Sequence, residues 1–309
     1  MVKPGLKNMA TVEHHRYVLI TAVRNEEKTI EVTLQSVIDQ TRPPAEWVIV
    51  SDESSDRTDE IVSQYSVKYE FIQFLRLTKR PSRNFASVVF ALEAGCGALK
   101  TKDYEFLGVL DGDVRLPRDY YDQILARFAA DPRLGLAGGL VLDNVDGIPM
   151  RHRQHLREVA GAVQFFRRQC FESLGGLVAI PEGGWDAITC VRARMNGFKT
   201  ATFPELVVDH LKPRNIAEGN LFRRHWQFGI RDYALGSHPL FELAKCCART
   251  VDSPLLIGAV ARLFGYSVSA MTWRKRFLSE EVVNYMRREQ LARLVPFKNR
   301  RSIASSSVL

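Results

Sequence analysis

The sequence predicts an α/β fold, a mostly parallel sheet flanked by helices and followed by a C-terminal helical appendage. Three observations carry that expectation. Short apolar runs without polar alternation recur between segments of helical spacing, as strands buried on both faces require. A polar loop follows each early strand. Beyond residue 210 the chain turns basic, with 17 Lys and Arg against 7 Asp and Glu.

Taken in order, residues 17–23 form the first strand-like run, and Ile30, Leu34, Val37 and Ile38 recur at helical spacing until Pro43 and Pro44. Residues 47–50 begin a second strand, completing a β-α-β unit. The alternation continues with a helix over 59–65, a strand over 71–77, a helix over 84–99 and a fourth strand over 106–110. After Pro117 a helix is expected to about Ala130, then a Gly-rich strand over 134–142. Residues 143–160 turn polar and basic without a period and are expected to form a mobile excursion. A helix is expected over 185–195, and a strand containing Val207 and Val208 ends at Asp209 and His210.

The chain of 309 residues, 46% hydrophobic, suits one large domain with an appendage or two small domains. Residues 1–16 read as a leader without the basic start and apolar core of a signal peptide or anchor, and Ser305 to Ser307 as a frayed tail. Five cysteines with no Cys-x-x-Cys spacing fit buried thiols in a reducing cytosol rather than a disulfide framework or zinc site. The net charge of +8 resides in the C-terminal third, which suggests an anionic surface as partner, either nucleic acid or the cytoplasmic leaflet.

In open parallel sheets, ligands sit beyond the carboxyl ends of the strands. That rule gathers Thr21 to Glu26, Asp52 and the triplet Asp111-Gly112-Asp113 on one rim. A turn alone would use such a triplet, but two carboxylates at a strand end also form a locus for a hard divalent cation. Mg²⁺ or Mn²⁺ held by so few carboxylates keeps positions for substrate phosphates, which points to a diphosphate ligand.

Three linked blocks make the expectation specific: Thr-Ala-Val-Arg-Asn-Glu-Glu (21–27), Leu-Gln-Ser-Val-Ile-Asp-Gln-Thr (34–41) and Val-Ile-Val-Ser-Asp-Glu-Ser-Ser-Asp-Arg-Thr (48–58). In order and spacing the chain resembles a family 2 glycosyltransferase with the Rossmann-like GT-A fold of nucleotide-diphospho-sugar transferases. The resemblance spans residues 17 to about 230, expected as the catalytic domain, with 231–309 a helical, basic, membrane-associating region.

The resemblance implies that Asp52 accepts a hydrogen bond from the nucleotide base, with Thr21, Val23 and Glu26 lining the base and ribose pocket. A carboxylate there suits uracil, which offers an N3–H donor. It implies Asp113 as direct metal ligand, Asp111 at ribose, donor sugar or metal-bound water, and His210 as a third metal ligand; a surface histidine is the alternative. In Pro-Glu-Gly-Gly-Trp-Asp-Ala (181–187), Trp185 stands where most relatives have Glu, and Asp186 is implied as general base, or as a helix N-cap. Arg80, Arg83 and Asn84 fall where relatives approach the nucleotide, there to close on phosphate or to form a solvated basic loop. Arg24 stands where many relatives differ.

The implied activity is a single in-line displacement with inversion, moving a sugar from a UDP-linked donor to a glycan or a polyprenyl-diphosphate-linked acceptor. The expected location is the cytoplasm, peripheral on the inner membrane face. Residues 221–229 lack the Gln-x-x-Arg-Trp of processive relatives, which favours transfer of one sugar; Arg223 and Arg224 there could meet diphosphate or solvent. Residues 254–271 are apolar but interrupted by Arg262, Ser267, Ser269 and two glycines, and Arg274, Lys275 and Arg276 follow. They read as an interfacial segment or as one packed on the domain, ahead of a helix over 280–294. A nucleotidyltransferase would also use two carboxylates and a metal but needs a Gly-rich phosphate loop after the first strand. A carbohydrate- or nucleic-acid-binding protein without activity is a third reading, although no nucleic-acid motif is present.

Overall fold

The computed structural model describes residues 16–78, 84–145, 148–151, 155–212, 221–250 and 256–294. Its first half is a parallel sheet in the order β3 (Ile72–Arg76), β2 (Glu46–Ser51), β1 (Tyr17–Val23), β4 (Phe106–Val109). The alternation of side chains along each strand explains the apolar runs. Tyr17, Leu19, Trp47 and Ile49 pack on one face with Ile30 and Leu34 of α1 (Ile30–Ile38), Val62 of α2 (Thr58–Lys68), and Ile124 and Phe128 of α4 (Tyr120–Ala130). Val18, Ile20, Val48 and Val50 pack on the other with Val89 and Leu92 of α3 (Ser87–Ala98). Both faces are core, so neither alternates with polar residues.

Beyond β4 the sheet becomes mixed. The short β8 (Phe165–Arg167) runs antiparallel to β4 and to β6 (Leu134–Val145). β6 is parallel to β9 (Lys199–His210), and β9 is antiparallel to the two-residue β5 (Val114–Arg115). The stretch expected as a mobile excursion is largely structured. β6 runs on to Val145, pairs with β7 (Ile148–Arg151), and Val159 and Ala160 are buried. Its polar residues misled because Asp143 is buried, 1% exposed, and faces His210 rather than solvent. β8, the helix α5 (Arg168–Ser173) and the 3-10 turn 161–163 escaped the periodicity because each is too short to show one.

The helix α6 (Trp185–Met195) precedes β9, and among the described residues four helices follow it: α7 (Leu221–Ala234), α8 (Pro239–Ala248), α9 (Ile257–Met271) and α10 (Glu280–Leu294). The expected boundary at residue 230 falls inside α7, which packs along α9. A buried charge cluster joins the first three of these helices. Arg262 of α9 meets Asp232 of α7 and, at 3.0 Å, Glu242 of α8, while Lys245 lies 2.9 Å from Asp232 and 2.6 Å from Glu242. Burial alone would raise the Asp232 carboxyl, but the neighbouring cations hold it below its usual range; burial and the Asp232 charge push the Glu242 carboxyl up. α10 is fastened to the catalytic half by Arg194 of α6, whose guanidinium forks onto Glu289 with two bonds of 2.8 Å. α10 thus packs against α6. Residues 1–15 and the Ser305 to Ser307 tail lie outside the described residues.

Candidate active site

The polar loops after β1 and β2 lock together at the carboxyl rim. Asn25 and Glu53 take left-handed backbone angles, φ 52° and 58°, and turn the chain off each strand. The Asn25 side-chain oxygen accepts the Ser55 N–H (2.8 Å), and the Glu26 N–H donates to Thr58 Oγ1 (2.7 Å). The first and third sequence blocks are thus one hydrogen-bonded unit.

Two expected pocket residues are placed differently. Thr21 is fully buried and its hydroxyl accepts the Trp47 indole N–H at 2.9 Å, so that hydroxyl serves the core. Val23 is likewise buried, against the triplet loop. Both fall on the inward positions of a strand with two packed faces, which the rim position alone did not reveal. Glu26 and Asp52 are half-buried at the rim. The Asp52 carbonyl accepts from Arg24 at 3.0 Å, giving Arg24 a structural task. Glu26 accepts from Thr29 Oγ1 (2.7 Å) and lies 2.5 Å from Lys212 Nζ. Burial and the charge of Asp113 push the Glu26 carboxyl up, opposed by Lys212 and Thr29. Arg80 and Arg83 lie outside the described residues; Asn84 caps its own turn by accepting the Ala86 N–H (2.8 Å).

The triplet is shaped by close approach rather than by unusual backbone. A Cβ on Gly112 would stand 2.6 Å from Val23 Cγ1, and its φ lies outside the left-handed range that glycine favours. Thr33 of α1 holds the loop from beneath. Its hydroxyl lies 3.0 and 2.8 Å from the carbonyls of Gly112 and Val114 and accepts the Val114 N–H at 3.1 Å.

Sheet register then assembles the metal candidates. In β9, His210 pairs with Val114 on one side and Asp143 of β6 on the other. Its imidazole is therefore flanked by two carboxylates: Nε2 lies 3.3 Å from Asp113 Oδ1, and Nδ1 lies 3.2 Å from Asp143 Oδ1. One ligand atom each from Asp111, Asp113 and His210 falls within 4.8 Å of the others. That spacing and the two-oxygen, one-nitrogen donor set fit a divalent cation of the Mn²⁺ type, with positions left for phosphate oxygens. Asp143, 1% exposed, was missed in the sequence, because only the pairing of β6 with β9 brings it to His210. A carboxylate at Nδ1 favours the proton there and leaves the Nε2 lone pair toward the metal position. Burial lowers the basicity of Arg224 of α7, and the Asp143 charge opposes it. Arg223 is exposed.

Asp186 sits across the same turn. Gly183 and Gly184 both take positive φ, 87° and 91°, and Gly184 occupies the cap position of α6. Asp186 is therefore inside the first helical turn and is not the N-cap. Its Oδ2 accepts the Gly161 N–H at 3.3 Å, while the Asp111 N–H donates to Ala162 O at 3.0 Å. One 3-10 turn thus ties the backbone of a metal candidate to the carboxylate of the candidate base. Trp185, in the place of the usual Glu, is buried in the core face beneath.

Comparison with known proteins bears on the family and the fold. The family model described as glycosyl transferase family 2 matches residues 18–184. The poly-beta-1,6-N-acetyl-D-glucosamine synthase of Staphylococcus epidermidis (strain RP62A) is 30% identical over 141 residues, 44% of this chain and 32% of that protein. The synthase of the same description from Staphylococcus aureus (strain COL) is 32% identical over 120 residues, 39% of this chain and 27% of that protein. The matched segment thus spans about a third of these curated relatives. Among solved structures, the mannosyltransferase PcManGT from Pyrobaculum calidifontis, in complex with GDP-Man and Mn²⁺, superposes with TM-score 0.56 at 18% identity, covering 91% of this chain and 81% of that one. S. aureus TarS 1-349 in complex with UDP-GlcNAc gives TM-score 0.52 at 14% identity, with 92% and 77% covered. These two likenesses concern the fold, which is GT-A. The family model covers more than half the chain, and on that ground, with the fold agreeing, the protein belongs to the family 2 glycosyltransferases.

Proposed function

We propose that the protein is an inverting, metal-dependent transferase that moves one sugar from a nucleotide-diphosphate donor, UDP-linked, to a hydroxyl of a polysaccharide or lipid-linked oligosaccharide precursor. The observation that carries this reading is the convergence of Asp111, Asp113 and His210, with Asp186 linked to them through one turn.

Asp113 and His210 would hold the cation directly, and Asp111 would reach it directly, through a water, or hold the ribose or sugar. Once bound, such a cation neutralises the negative charge that builds on the leaving diphosphate. The chain's own residues do the rest. Asp52 would accept from the base, and Glu26, steadied by Lys212, would face the ribose. Asp186 would take the acceptor hydroxyl's proton as that oxygen attacks the anomeric carbon from the face opposite the departing phosphate. A single base and a single displacement invert the anomeric configuration. Arg80 and Arg83 would close on phosphate. The relatives named as polysaccharide synthases support a glycan acceptor, and the UDP-GlcNAc and GDP-Man complexes of the structural neighbours support a nucleotide-sugar donor. The setting proposed is the cytoplasmic side of a membrane, with residues 17–230 as the catalytic unit.

Thermal-shift and hydrolysis screening of nucleotide sugars with and without Mn²⁺ tests the reading. A UDP-sugar should stabilise and turn over only with metal, and Asp186→Asn should abolish transfer while donor affinity persists. If no nucleotide diphosphate binds under any metal condition, the proposal fails.

A further inference from the structure

Helix α9 carries its amphipathicity inverted. The face turned inward is mostly small or polar: Gly258, Ala259, Ala261, Arg262, Gly265 and Ser269 are buried, together with Tyr266, which packs on Tyr233. A Cβ on Gly258 would stand 2.9 Å from the His225 ring, and one on Gly265 would stand 2.3 Å from the Trp226 carbonyl. The face turned outward is large and apolar, with Ile257, Val260, Phe264 and Met271 all more than half exposed. At about 100° per residue these four fall within an arc of about 60°. A helix in water shows the opposite distribution.

The neighbours of this stripe extend it. Phe264 packs edge-on to Trp226 at 4.9 Å, and Trp226 stacks on the exposed Phe222 of α7 at 6.5 Å. Leu256 and Trp273, on either side of α9, take positive φ, 58° and 49°, where a Gly or Asn is the usual choice. Both point into solvent, Trp273 at 88% exposure. Such backbone is strained for a residue other than Gly or Asn, and among the described residues both side chains are left largely exposed. Arg274, Lys275 and Arg276 follow at once, all exposed. Arg274 also lies 3.5 Å from Glu182, in the loop that leads to Asp186, so the basic collar adjoins the catalytic mouth.

We propose that this face, Phe222, Ile257, Val260, Phe264, Met271 and Trp273 with its Arg-Lys-Arg collar, docks on a bilayer bearing anionic phospholipid headgroups. The charge selects the occupant. An apolar stripe edged by an aromatic residue and three consecutive cations matches the boundary between acyl chains and negative headgroups, where Trp is favoured and basic residues are attracted. Among the described residues no helix is long and apolar enough to cross a membrane. α9, at about 22 Å for its 15 residues, would lie on the surface. The proposal deepens the transferase reading by putting the acceptor mouth against the leaflet, but it rests on the exposed face and not on the reaction.

Flotation of the full chain with phosphatidylcholine vesicles, alone and mixed with phosphatidylglycerol, is the test. Binding is expected to the mixed vesicles, weakening as salt rises, with a blue shift of Trp fluorescence that Trp273→Phe diminishes. Lys275→Gln with Arg276→Gln should weaken binding about 30-fold. Phe264→Glu with Met271→Glu should abolish it while metal-dependent hydrolysis of a UDP-sugar continues. Because hydrolysis is read separately, loss of docking and failure of the transferase reading are distinct results. No binding to mixed vesicles at low salt overturns the proposal, as does a wild-type dimer that this double substitution converts to monomer while vesicle binding is unchanged.

Discussion

Replacing Asp143 by Asn tests whether the metal candidates are held by their surroundings. The side chain keeps its volume at a site 1% exposed, so packing is preserved while the charge 3.2 Å from His210 Nδ1 is removed. Without that carboxylate the imidazole loses its bias toward an Nδ1 proton, and a share of molecules presents a protonated Nε2 toward Asp113. Removing such a partner of a ligating histidine typically weakens metal binding about 10- to 100-fold, or about 1.4 to 2.7 kcal/mol. Mn²⁺ titration followed by electron paramagnetic resonance or calorimetry reads this directly, without turnover. Metal-independent nucleotide affinity and the circular dichroism spectrum should be unchanged. An Asp143→Asn variant that folds normally and binds Mn²⁺ as tightly as wild type would refute the arrangement.

Three further outcomes follow from the geometry. Gly112→Ala puts a Cβ 2.6 Å from Val23 Cγ1 and should destabilise the fold by about 1–3 kcal/mol while weakening Mn²⁺; denaturant unfolding at wild-type midpoint with intact metal binding would contradict it. Asp232→Ala leaves Arg262 and Lys245 with fewer buried partners and should cost about 3–5 kcal/mol, read as a fall in Tm; a fall under about 1 kcal/mol would show that the cluster carries little. Burial pushes the Glu46 carboxyl up, but the N–H groups of Lys100 and Thr101, which donate to it at 2.9 and 2.6 Å, hold it below its ordinary value. Its stabilisation is therefore present above the unfolded value of about 4.3 and is lost as pH falls through the lowered folded value. Glu46→Gln should flatten the acid limb of stability, and an unchanged limb would exclude that role.

The expected strands and helices of the first half, and α10 over 280–294, agree with the structure to within a few residues. Local signals suffice there, since a strand buried on both faces has an unbroken apolar run and a core-facing helix repeats its apolar residues. The triplet at 111–113 and His210 were legible because each directly follows or ends such a strand. The resemblance implied Thr21 and Val23 at the pocket; the structure turns both side chains into the core, and being near a rim does not say which way a side chain faces.

What the sequence determined by itself is the periodic part of the molecule and the chemistry of its loops: a parallel α/β half, carboxylates on one rim, and a basic C-terminal third. What tertiary structure alone decided is which distant residues meet. Asp143 reaches His210 through the β6 and β9 register, Asp186 is tied to Asp111 through a three-residue turn, and Arg262 lies inside while Phe264 lies outside. The physical reason is the same in each case. Periodicity reports the burial of a residue against its own neighbours in the chain, whereas strand order and helix packing are set by the summed contacts of segments far apart in sequence, and no local pattern encodes them.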